Sequence, residues 1–302
     1  MKVRKKIMNA IIMTKEDAKN RAITTKKDFV AFVAVNYANP NGDLDGNMPR
    51  TDYDGYGIIS DVCLKRKIRN RIQDAGLDIY LQASDRRTDE ATNLLARASA
   101  KGLNKIKDAD ELARALCGEF ADVRAFGTVW AMDKKLAACS SLGVRGPVSI
   151  TMATSINPID IISMKVTKSA NDTKDCTIEK ESSTIGTKHF VKFGLYKFSG
   201  SINVQMAEKT GFSDDDAEAA KEAIRTLFVN DESSARPAGT CEVVKLFWFD
   251  HNCKDGQYSP AKINRAVTAK LVDGVTTPKS VDDYEIVYNE LPGLKCEIID
   301  GI

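Results

Sequence analysis

The sequence predicts an α+β fold built on one antiparallel sheet. Four apolar, β-branched runs bounded by turn residues are typical of strands, two amphipathic segments with capping residues are typical of helices, and 302 residues can bury a large core. These elements follow one another as β-α-β-β-α-β, the order of a ferredoxin-like, RRM-like sheet. We expect a single domain over residues 26–302, preceded by a basic, flexible extension over residues 1–25.

Local patterns define the elements of the sheet. Residues 28–36, DFVAFVAVN, predict a buried strand, and Ser60 is the predicted N-cap of the first helix, which ends at Gly76. Ser213 is the predicted N-cap of the second helix, because three aspartates follow it in the first turn. The other predicted strands are residues 147–156, residues 189–205 with a break or bulge at Gly200, and residues 241–249.

Two insertions interrupt this order. Residues 76–140 contain two helical patterns separated by a turn near Gly102, and they are predicted to form a helical insertion. Residues 157–187 begin with a strand-like run over 159–167 and continue into a stretch too polar to pack in a core. We expect this second insertion to project from the sheet as a hairpin, which we call the thumb.

A turn-rich loop leads into the first, strongly basic helix. Residues 39–50 are rich in Gly, Asn, Asp and Pro, so backbone N–H groups of this loop can converge on an anion. On the helix, Lys65, Arg66 and Arg69 share one face, and five cations lie between residues 65 and 71. Their mutual repulsion indicates phosphate groups as partners, while a solvated charged face is the alternative.

The same stretch resembles a known family. The segments N-P-N-G-D (39–43), G-N-M-P-R (46–50) and Y-G-I-I-S-D-V-C-L-K-R-K-I-R-N (56–70) are similar to the signature of the backbone subunit of CRISPR Cascade complexes in its type I-C form, within the RAMP-like superfamily. Shorter matches in the same order extend the resemblance over residues 28–255. It implies an RRM-like palm, a helical insertion, a thumb, and a non-catalytic subunit that polymerises along CRISPR RNA and presents it to target DNA.

The resemblance and the local patterns together select candidate RNA contacts. Arg145 lies between Gly143 and Gly146, so its neighbours can approach a ligand closely; a tight turn is the alternative. The resemblance implies that an apolar thumb side chain, for which we select Met164, wedges between guide bases; packing on its own hairpin is the alternative. The predicted RNA-binding residues are Asn39, Asn41, Arg50, Ser60, Lys65, Arg66, Arg69, Arg145, Met164, Lys188 and Arg236.

A metal-dependent endoribonuclease that uses Asp43 or Asp45 is the rival function. Alternating Asp and Asn residues after Asp43 begin like a Ca²⁺ loop, but Met48 stands at the turn glycine and Asp54 stands where a bidentate Glu is required. Two histidines and no base near Cys63 give little support to nucleophilic catalysis. We therefore expect no catalytic residue, no metal site and no cofactor.

Composition limits the remaining possibilities. The formal net charge of +2 does not indicate nucleic-acid binding. Only the local clustering of cations does. Seven cysteines without a C-x-x-C pair are typical of a reducing cytoplasm, and no stretch has the length of a membrane span. The partners that the resemblance implies are CRISPR RNA, target DNA through the guide, further copies of the chain and other Cascade subunits, with no membrane.

Overall fold

The computed structural model describes residues 13–167 and 185–302. The helices in these ranges are α1 (Lys15–Arg21), α2 (Asp61–Asp74), α3 (Leu94–Ala100), α4 (Ala109–Glu119), α5 (Ala121–Phe126), α6 (Val204–Thr210), α7 (Asp214–Arg225) and α8 (Pro260–Ala266). The strands are β1 (Lys27–Ala38), β2 (Tyr56–Ile59), β3 (Gly127–Ala131), β4 (Ser141–Arg145), β5 (Val148–Ile150), β6 (Ala153–Pro158), β7 (Ile161–Thr167), β8 (Ile185–Ile202), β9 (Cys241–Asp250), β10 (Val267–Leu271), β11 (Tyr284–Tyr288) and β12 (Lys295–Asp300). The predicted α+β class is confirmed.

The main sheet has the strand order β12-β9-β1-β8-β6-β2, and β5 and β7 also pair with β8. All of these pairings are antiparallel. In the centre, Val33 of β1 lies opposite Tyr196 of β8 on one side and Val243 of β9 on the other. These central strands are the apolar runs that the sequence marks, because a strand buried on both faces needs an almost continuous apolar sequence.

One predicted strand is wrong at its end. The run expected to continue to Gln205 stops at Ile202, because Asn203 accepts a hydrogen bond from Met206 N (2.8 Å) and so caps α6. Gly200 does not break β8: a Cβ at this position would collide with the ring of Phe29 on the neighbouring strand. The glycine therefore permits close approach of a packed ring.

Helices α2 and α7 cover one face of the sheet. Ser60 accepts a hydrogen bond from Cys63 N (3.2 Å), and Ser213 forms a capping box with Asp216, so both predicted N-caps are confirmed. The core on this face joins the two helices to β1, β8 and β9 through buried side chains that include Leu64, Ile68, Ile224, Val33, Tyr196 and Trp248.

The C-terminal segment, which has no predicted element after residue 249, covers the opposite face of the sheet. Ile263 of α8 and Tyr284 of β11 pack on Val30, Phe32 and Phe249. This layer buries the aromatic rings on that side of the sheet. This face of the sheet is therefore filled with protein and offers no open platform on which bases could stack.

Residues 76–140 build a second core of their own. Its members include Leu112 and Leu116 of α4, Trp130 of β3, Phe120 between α4 and α5, and Tyr80 in the segment that follows α2. The two predicted helical patterns correspond to α3 and α4, and Gly102 between them has a φ of 75°. The hairpin was not predicted.

The predicted flexible extension is wrong for the part that the structure describes. Thr14 forms a capping box with Asp17 at the start of α1, and Ala18, Ala22 and Ile23 are buried. A capped helix with one apolar face docks on the core although its composition is polar. The first twelve residues of the predicted extension lie outside the described residues, and no helix within 13–167 or 185–302 is long and apolar enough to cross a membrane.

Strands β7 and β8 form the base of the predicted thumb. Their register runs from Ile161 opposite Val191 to Thr167 opposite Ile185. Strand β1 ends its pairing with β8 at Val191, so within the described residues the part of β8 before this position pairs with β7 alone. The polar tip of the predicted thumb, residues 168–184, lies outside the described residues.

Candidate nucleic-acid interface

The loop over residues 39–50 holds its shape through its own hydrogen bonds. Asp43 Oδ1 accepts from Gly46 N (3.0 Å) and Met48 N (3.3 Å), and Gly42 pairs with Pro49 in an isolated bridge. The side-chain amide of Asn39 donates to Asn47 O (2.5 Å). The loop is a closed turn whose shape depends on Asp43 and Asn39.

This loop is also fastened to the N-terminus of α2. Asn41 Oδ1 accepts a hydrogen bond from Ser60 N (2.9 Å), and Arg50 O accepts from Ile58 N (2.8 Å). The Nε of Arg50 is buried and makes no hydrogen bond to any described residue. A buried donor of this kind is costly unless a ligand or water satisfies it.

The cations of α2 are largely neutralised inside the fold. Arg69 Nε lies 3.1 Å from Asp122 Oδ2, a fully buried carboxylate that also accepts from Tyr80 N (2.6 Å) and Leu81 N (3.1 Å). The guanidinium of Arg69 also stacks on Phe126 at 4.9 Å. The prediction that phosphates relieve the repulsion along this helix is therefore wrong for Arg69, because a carboxylate from α5 neutralises its charge.

Lys67 is neutralised in a similar way. This side chain is buried and pairs with Asp231, which also accepts from Arg236 Nε (2.8 Å). One carboxylate therefore joins α2 to the loop that follows α7. Two cations on one carboxylate leave a net positive charge at this point.

Lys65 and Arg66 are the more accessible cations of the strip. Lys65 Nζ lies 3.0 Å from Asp61 one turn earlier, a half-exposed pair that solvent screens. Arg66 Nη1 donates to Leu81 O (2.5 Å), and burial together with the neighbouring Arg69 lowers the pKa of its guanidinium. A guanidinium has five donors, so Arg66 retains donors for a phosphate.

A cleft of about 400 Å³ brings predicted residues from three chain segments together; we call it the Lys188 cleft. Its lining residues are Asn39, Gly42, Asn47, Thr187, Lys188, His189, Phe190, Ser234, Ala235 and Arg236. Lys188 Nζ donates to Ser234 O (3.4 Å) and has no carboxylate partner among the residues described. Arg236 Nη1 donates to Asn39 O (3.5 Å), while Asn39 Oδ1 is buried without a partner in the described part of the chain. The cleft combines unneutralised charge with unsatisfied polar atoms.

A second cleft of about 400 Å³ lies on the other side of the loop; we call it the Arg50 cleft. It is lined by Asp43, Met48, Pro49, Arg50, Thr51, Ile58, Ser60, Asp61, Met152 and Ile161. Arg50 and Ser60 are both predicted RNA-binding residues, and the fold places them together in the lining of this cleft. The loop over residues 39–50 thus contributes to both clefts.

Met164 lies next to the Lys188 cleft in the β7–β8 hairpin. It pairs across the hairpin with Lys188, and 48% of its surface is exposed. The adjacent pair, Ser163 and His189, is joined by a hydrogen bond between Oγ and Nδ1 (2.8 Å). An exposed thioether beside an unneutralised lysine can contact both the apolar and the charged parts of a nucleotide.

Arg145 is separate from both clefts. It is the exposed last residue of β4 and lines a different cavity, which shares no described lining residue with either cleft. A Cβ at Gly146 would collide with the carbonyl of Ala125, so this glycine permits packing against α5. A Cβ at Gly143 would meet open space, and Gly143 lines the same cavity as Arg145, so close approach of a ligand to this backbone stays a prediction.

The aspartates of the rival nuclease hypothesis do not form a metal site in the described residues. Asp43 is occupied by two backbone N–H groups of its own loop, and Asp45 is exposed. Residues 13–167 and 185–302 contain no group of three or more His, Cys, Asp or Glu that could hold a metal ion. The observed role of Asp43 is to close the turn.

Sequence reasoning missed Asp122 and Asp231, the two carboxylates that organise the basic helix. Each lies far along the chain from its partner, by 53 residues for Arg69 and by 164 for Lys67. No local pattern marks a partner at such a distance. Ser234 and Ala235, which line the Lys188 cleft, were signalled only by their turn-forming segment before Pro237.

Comparisons with known proteins agree with this architecture. The chain of a solved structure titled "CRISPR RNA-guided surveillance complex, pre-nicking" superposes with a TM-score of 0.52 at 16% identity, covering 83% of this chain and 84% of that one. The CRISPR-associated protein Cas7 of Haloferax volcanii is 31% identical over 203 residues, which are 60% of this chain and 57% of the relative. The chain thus spans a little over half of that relative's length.

The family comparison covers more of the chain. The profile of the family described as "CRISPR-associated protein Cas7" matches residues 25–289, from the start of β1 to the end of β11. The match includes the loop over residues 39–50, helix α2 and both clefts. The chain therefore belongs to the Cas7 family of CRISPR-associated proteins.

Proposed function

We propose that the protein is a non-catalytic structural subunit that binds CRISPR RNA and forms the backbone of a type I-C Cascade surveillance complex. In this role it presents the guide for pairing with target DNA, and its partners are further copies of itself and other Cascade subunits. Family membership supports the general role, and the signature over residues 36–71 supports the type I-C assignment. The proposed location is the cytoplasm.

The Lys188 cleft is the observation that carries this proposal. It combines a lysine without a carboxylate partner among the described residues, an arginine that shares its carboxylate with Lys67, and a buried unsatisfied amide oxygen. Such a surface suits the phosphate and sugar of an RNA backbone without reading bases. Protein in a guide complex requires this chemistry, because base pairing reads the sequence.

The remaining predicted residues extend this surface. Arg50 and Ser60 in the Arg50 cleft, with Lys65 and Arg66 beyond them on α2, would bind successive phosphates. Asn41 and Arg69 would act indirectly: Asn41 fastens the loop to Ser60, and Arg69 anchors α2 through Asp122. Arg145 remains a predicted contact in a separate cavity.

The proposed palm is RRM-like. Among the strands of the main sheet, β9, β1, β8 and β6 are neighbours in that order, and they alternate with α2 and α7 along the chain as a ferredoxin-like unit requires. Residues 76–140 would be the helical insertion and residues 157–187 the thumb. Met164 would wedge between guide bases, which unstacks a step at a cost of a few kcal/mol.

Salt-dependent RNA binding tests the proposal. The double variant Lys188→Gln, Arg236→Gln should bind single-stranded RNA more weakly, and the slope of log K against log salt should fall by roughly 0.7 for each lost phosphate contact. All sequences should be affected equally, because phosphate contacts carry no base information. An unchanged slope and affinity would refute the assignment of this cleft.

The matched control removes two charges elsewhere. Lys270 and Lys295 are 66% and 78% exposed and lie on β10 and at the start of β12. The variant Lys270→Gln, Lys295→Gln should change the slope little, since neither residue lines a cleft. Equal losses in both double variants would indicate a general charge effect instead of a site.

Met164 is tested in a complex reconstituted with CRISPR RNA and the neighbouring subunits. Met164→Ala should reduce the periodic chemical reactivity of guide bases, because a methyl group cannot hold two bases apart. Lys165→Ala is the control, since adjacent residues of a strand point to opposite faces. Periodic reactivity that survives Met164→Ala would show that another side chain forms the wedge.

A further inference from the structure

A further cavity lies between α1, α4, β4 and α6, apart from both clefts. Its volume is about 510 Å³, within the range of about 300–1,000 Å³ typical of small-molecule sites. We call it the Arg145 cavity. It is lined by Lys15, Asp110, Ala113, Arg114, Cys117, Gly143, Val144, Arg145, Met206, Glu208, Lys209 and Thr210.

The charges around this cavity are predominantly positive. Lys15 pairs with Asp110 (3.2 Å), and Glu208 pairs with Lys254 (2.7 Å), which lies outside the lining. Arg114, Arg145 and Lys209 have no carboxylate partner in the described part of the chain. Arg114 donates through Nε to Met13 O (3.0 Å), so its two Nη groups remain. Three unneutralised cations around one concavity attract an anion.

Thr210 is a buried residue of the lining and does not offer its hydroxyl to a ligand. The residue is 1% exposed, and its Oγ1 is inaccessible to solvent although the cavity is open. The polar contacts that the cavity offers to an anion therefore come from Arg114, Arg145 and Lys209.

The remaining wall is apolar. Ala113 and Val144 come from α4 and β4, and Met206 comes from α6. Inorganic phosphate alone would leave this wall without a contact, whereas a nucleoside has a sugar and a planar base that can pack on it. The adaptable thioether of Met206 suits the face of a base.

We propose that the Arg145 cavity binds a nucleotide, with its phosphate on Arg114, Arg145 and Lys209. The base or sugar packs on the wall formed by Ala113, Val144 and Met206. A free nucleotide and one nucleotide unit of a DNA strand present the same chemistry. The proposal does not depend on RNA binding in the Lys188 cleft.

Isothermal titration calorimetry of the full chain tests the site with three probes: ATP, inorganic phosphate and a single-stranded thymidine hexamer. Arg145→Gln, Lys209→Gln should weaken binding of ATP or of the hexamer by tenfold or more, about the effect of losing charge-assisted hydrogen bonds. Arg114→Gln removes the third cation of the cavity and should weaken the same binding by about tenfold. Lys270→Gln, Lys295→Gln should have no effect.

The outcomes separate the sources of the ligand. ATP binding that depends on Arg145 and Lys209 indicates a free nucleotide, and hexamer binding with the same dependence but no ATP binding indicates a strand. Lys188→Gln, Arg236→Gln should leave either result unchanged, which separates this site from the RNA cleft. Phosphate binding as tight as ATP, binding insensitive to both cavity variants, or no binding by ATP and hexamer would each overturn the proposal. Arg114→Gln, checked by thermal unfolding, keeps the test valid if the double variant folds poorly.

Discussion

Helix α2 and the Lys188 cleft are both rich in positive charge, but the fold uses the charge in opposite ways. On α2, Arg69 and Lys67 are directed at Asp122 and Asp231 and are almost fully buried. In the cleft, Lys188 donates to a carbonyl and meets no carboxylate among the described residues. The density of cations along a sequence therefore does not measure the charge available to a ligand.

The difference has an energetic reason. A buried ion pair loses most of its Coulomb gain to desolvation, but removal of one partner leaves an uncompensated buried charge. An exposed cation loses little solvation and can exchange water for a phosphate. We infer that the buried, paired cations Lys67 and Arg69 hold α2 in place, while Lys188, which has no carboxylate partner among the described residues, binds.

The largest expected effect is on folding, through Asp122. The variant Asp122→Ala leaves Arg69 and the N–H groups of Tyr80 and Leu81 without their shared acceptor. We expect a loss of about 3–5 kcal/mol in the free energy of unfolding, measured by urea denaturation. The control Asp61→Ala removes the half-exposed partner of Lys65 and should cost less than about 1 kcal/mol. Similar losses in both variants would contradict the comparison.

A second buried pair, Arg124–Asp216, predicts a pH effect. Burial alone would raise the pKa of Asp216, but two hydrogen bonds from Arg124 (2.8 and 2.7 Å) and its charge outweigh burial, so the pKa lies below its usual 3.8. A carboxyl with a lowered folded-state pKa stabilises the fold above its unfolded pKa and loses this contribution as pH falls through the folded pKa.

The measurement is the free energy of unfolding as a function of pH. We expect the wild type to lose stability as pH falls below about 4, and Asp216→Asn to start roughly 3 kcal/mol lower at neutral pH with a shallower decline. Parallel curves for the two proteins would show that the pair does not contribute. In that case the Arg124–Asp216 pair would contribute as little to stability as an exposed cation of the Lys188 cleft, and less than the buried pairs of α2.

Within α2, the comparison predicts that neighbouring cations differ in their effect on RNA. Lys65→Gln should lower the salt slope of RNA binding by roughly 0.7, because Lys65 is accessible to a phosphate. Arg69→Gln should leave the slope unchanged under conditions where the variant is folded, since Arg69 is engaged with Asp122. The slopes come from fluorescence anisotropy titrations at several salt concentrations. Equal changes in the salt slope for both variants would indicate that Arg69 also contacts a phosphate.

Much of the fold was predictable from local patterns. The strands β1 and β9 are nearly continuous apolar runs, and Ser60 and Ser213 mark helix starts through a side chain that bonds two or three residues on. What failed depends on contacts distant in sequence. Helix α1 is ordered because Ala18 and Ile23 find a core, and Gly200 stays within β8 because the ring of Phe29 on β1 packs against it.

Individual residues of the candidate site could be predicted from the sequence, but their positions relative to one another could not. Motif similarity selected Asn39, Lys188 and Arg236, which the fold brings into one cleft. It also selected Arg145, which the fold places in another cavity, and the basic face of α2, whose carboxylate partners lie on other elements. Which cations meet a carboxylate is decided by tertiary packing, so no pattern within one segment contains it.

The smallest expected effect concerns Asp43 and Asp45, two residues apart in the loop that separates the clefts. Asp43 closes the turn through Gly46 N and Met48 N, whereas Asp45 is exposed and makes no hydrogen bond to a described residue. If the loop serves to hold a binding surface, Asp43→Ala should weaken RNA binding by about three- to tenfold, the worth of one or two hydrogen bonds. Asp45→Ala should have no effect.

A metal-dependent nuclease predicts instead that the wild type cuts labelled RNA with Mg²⁺ but not with EDTA, and that at least one of these variants loses cleavage without losing affinity. Affinity and cleavage measured on the same samples therefore decide whether these carboxylates shape a surface or perform chemistry, and cleavage lost in either variant would refute the structural role proposed for the loop.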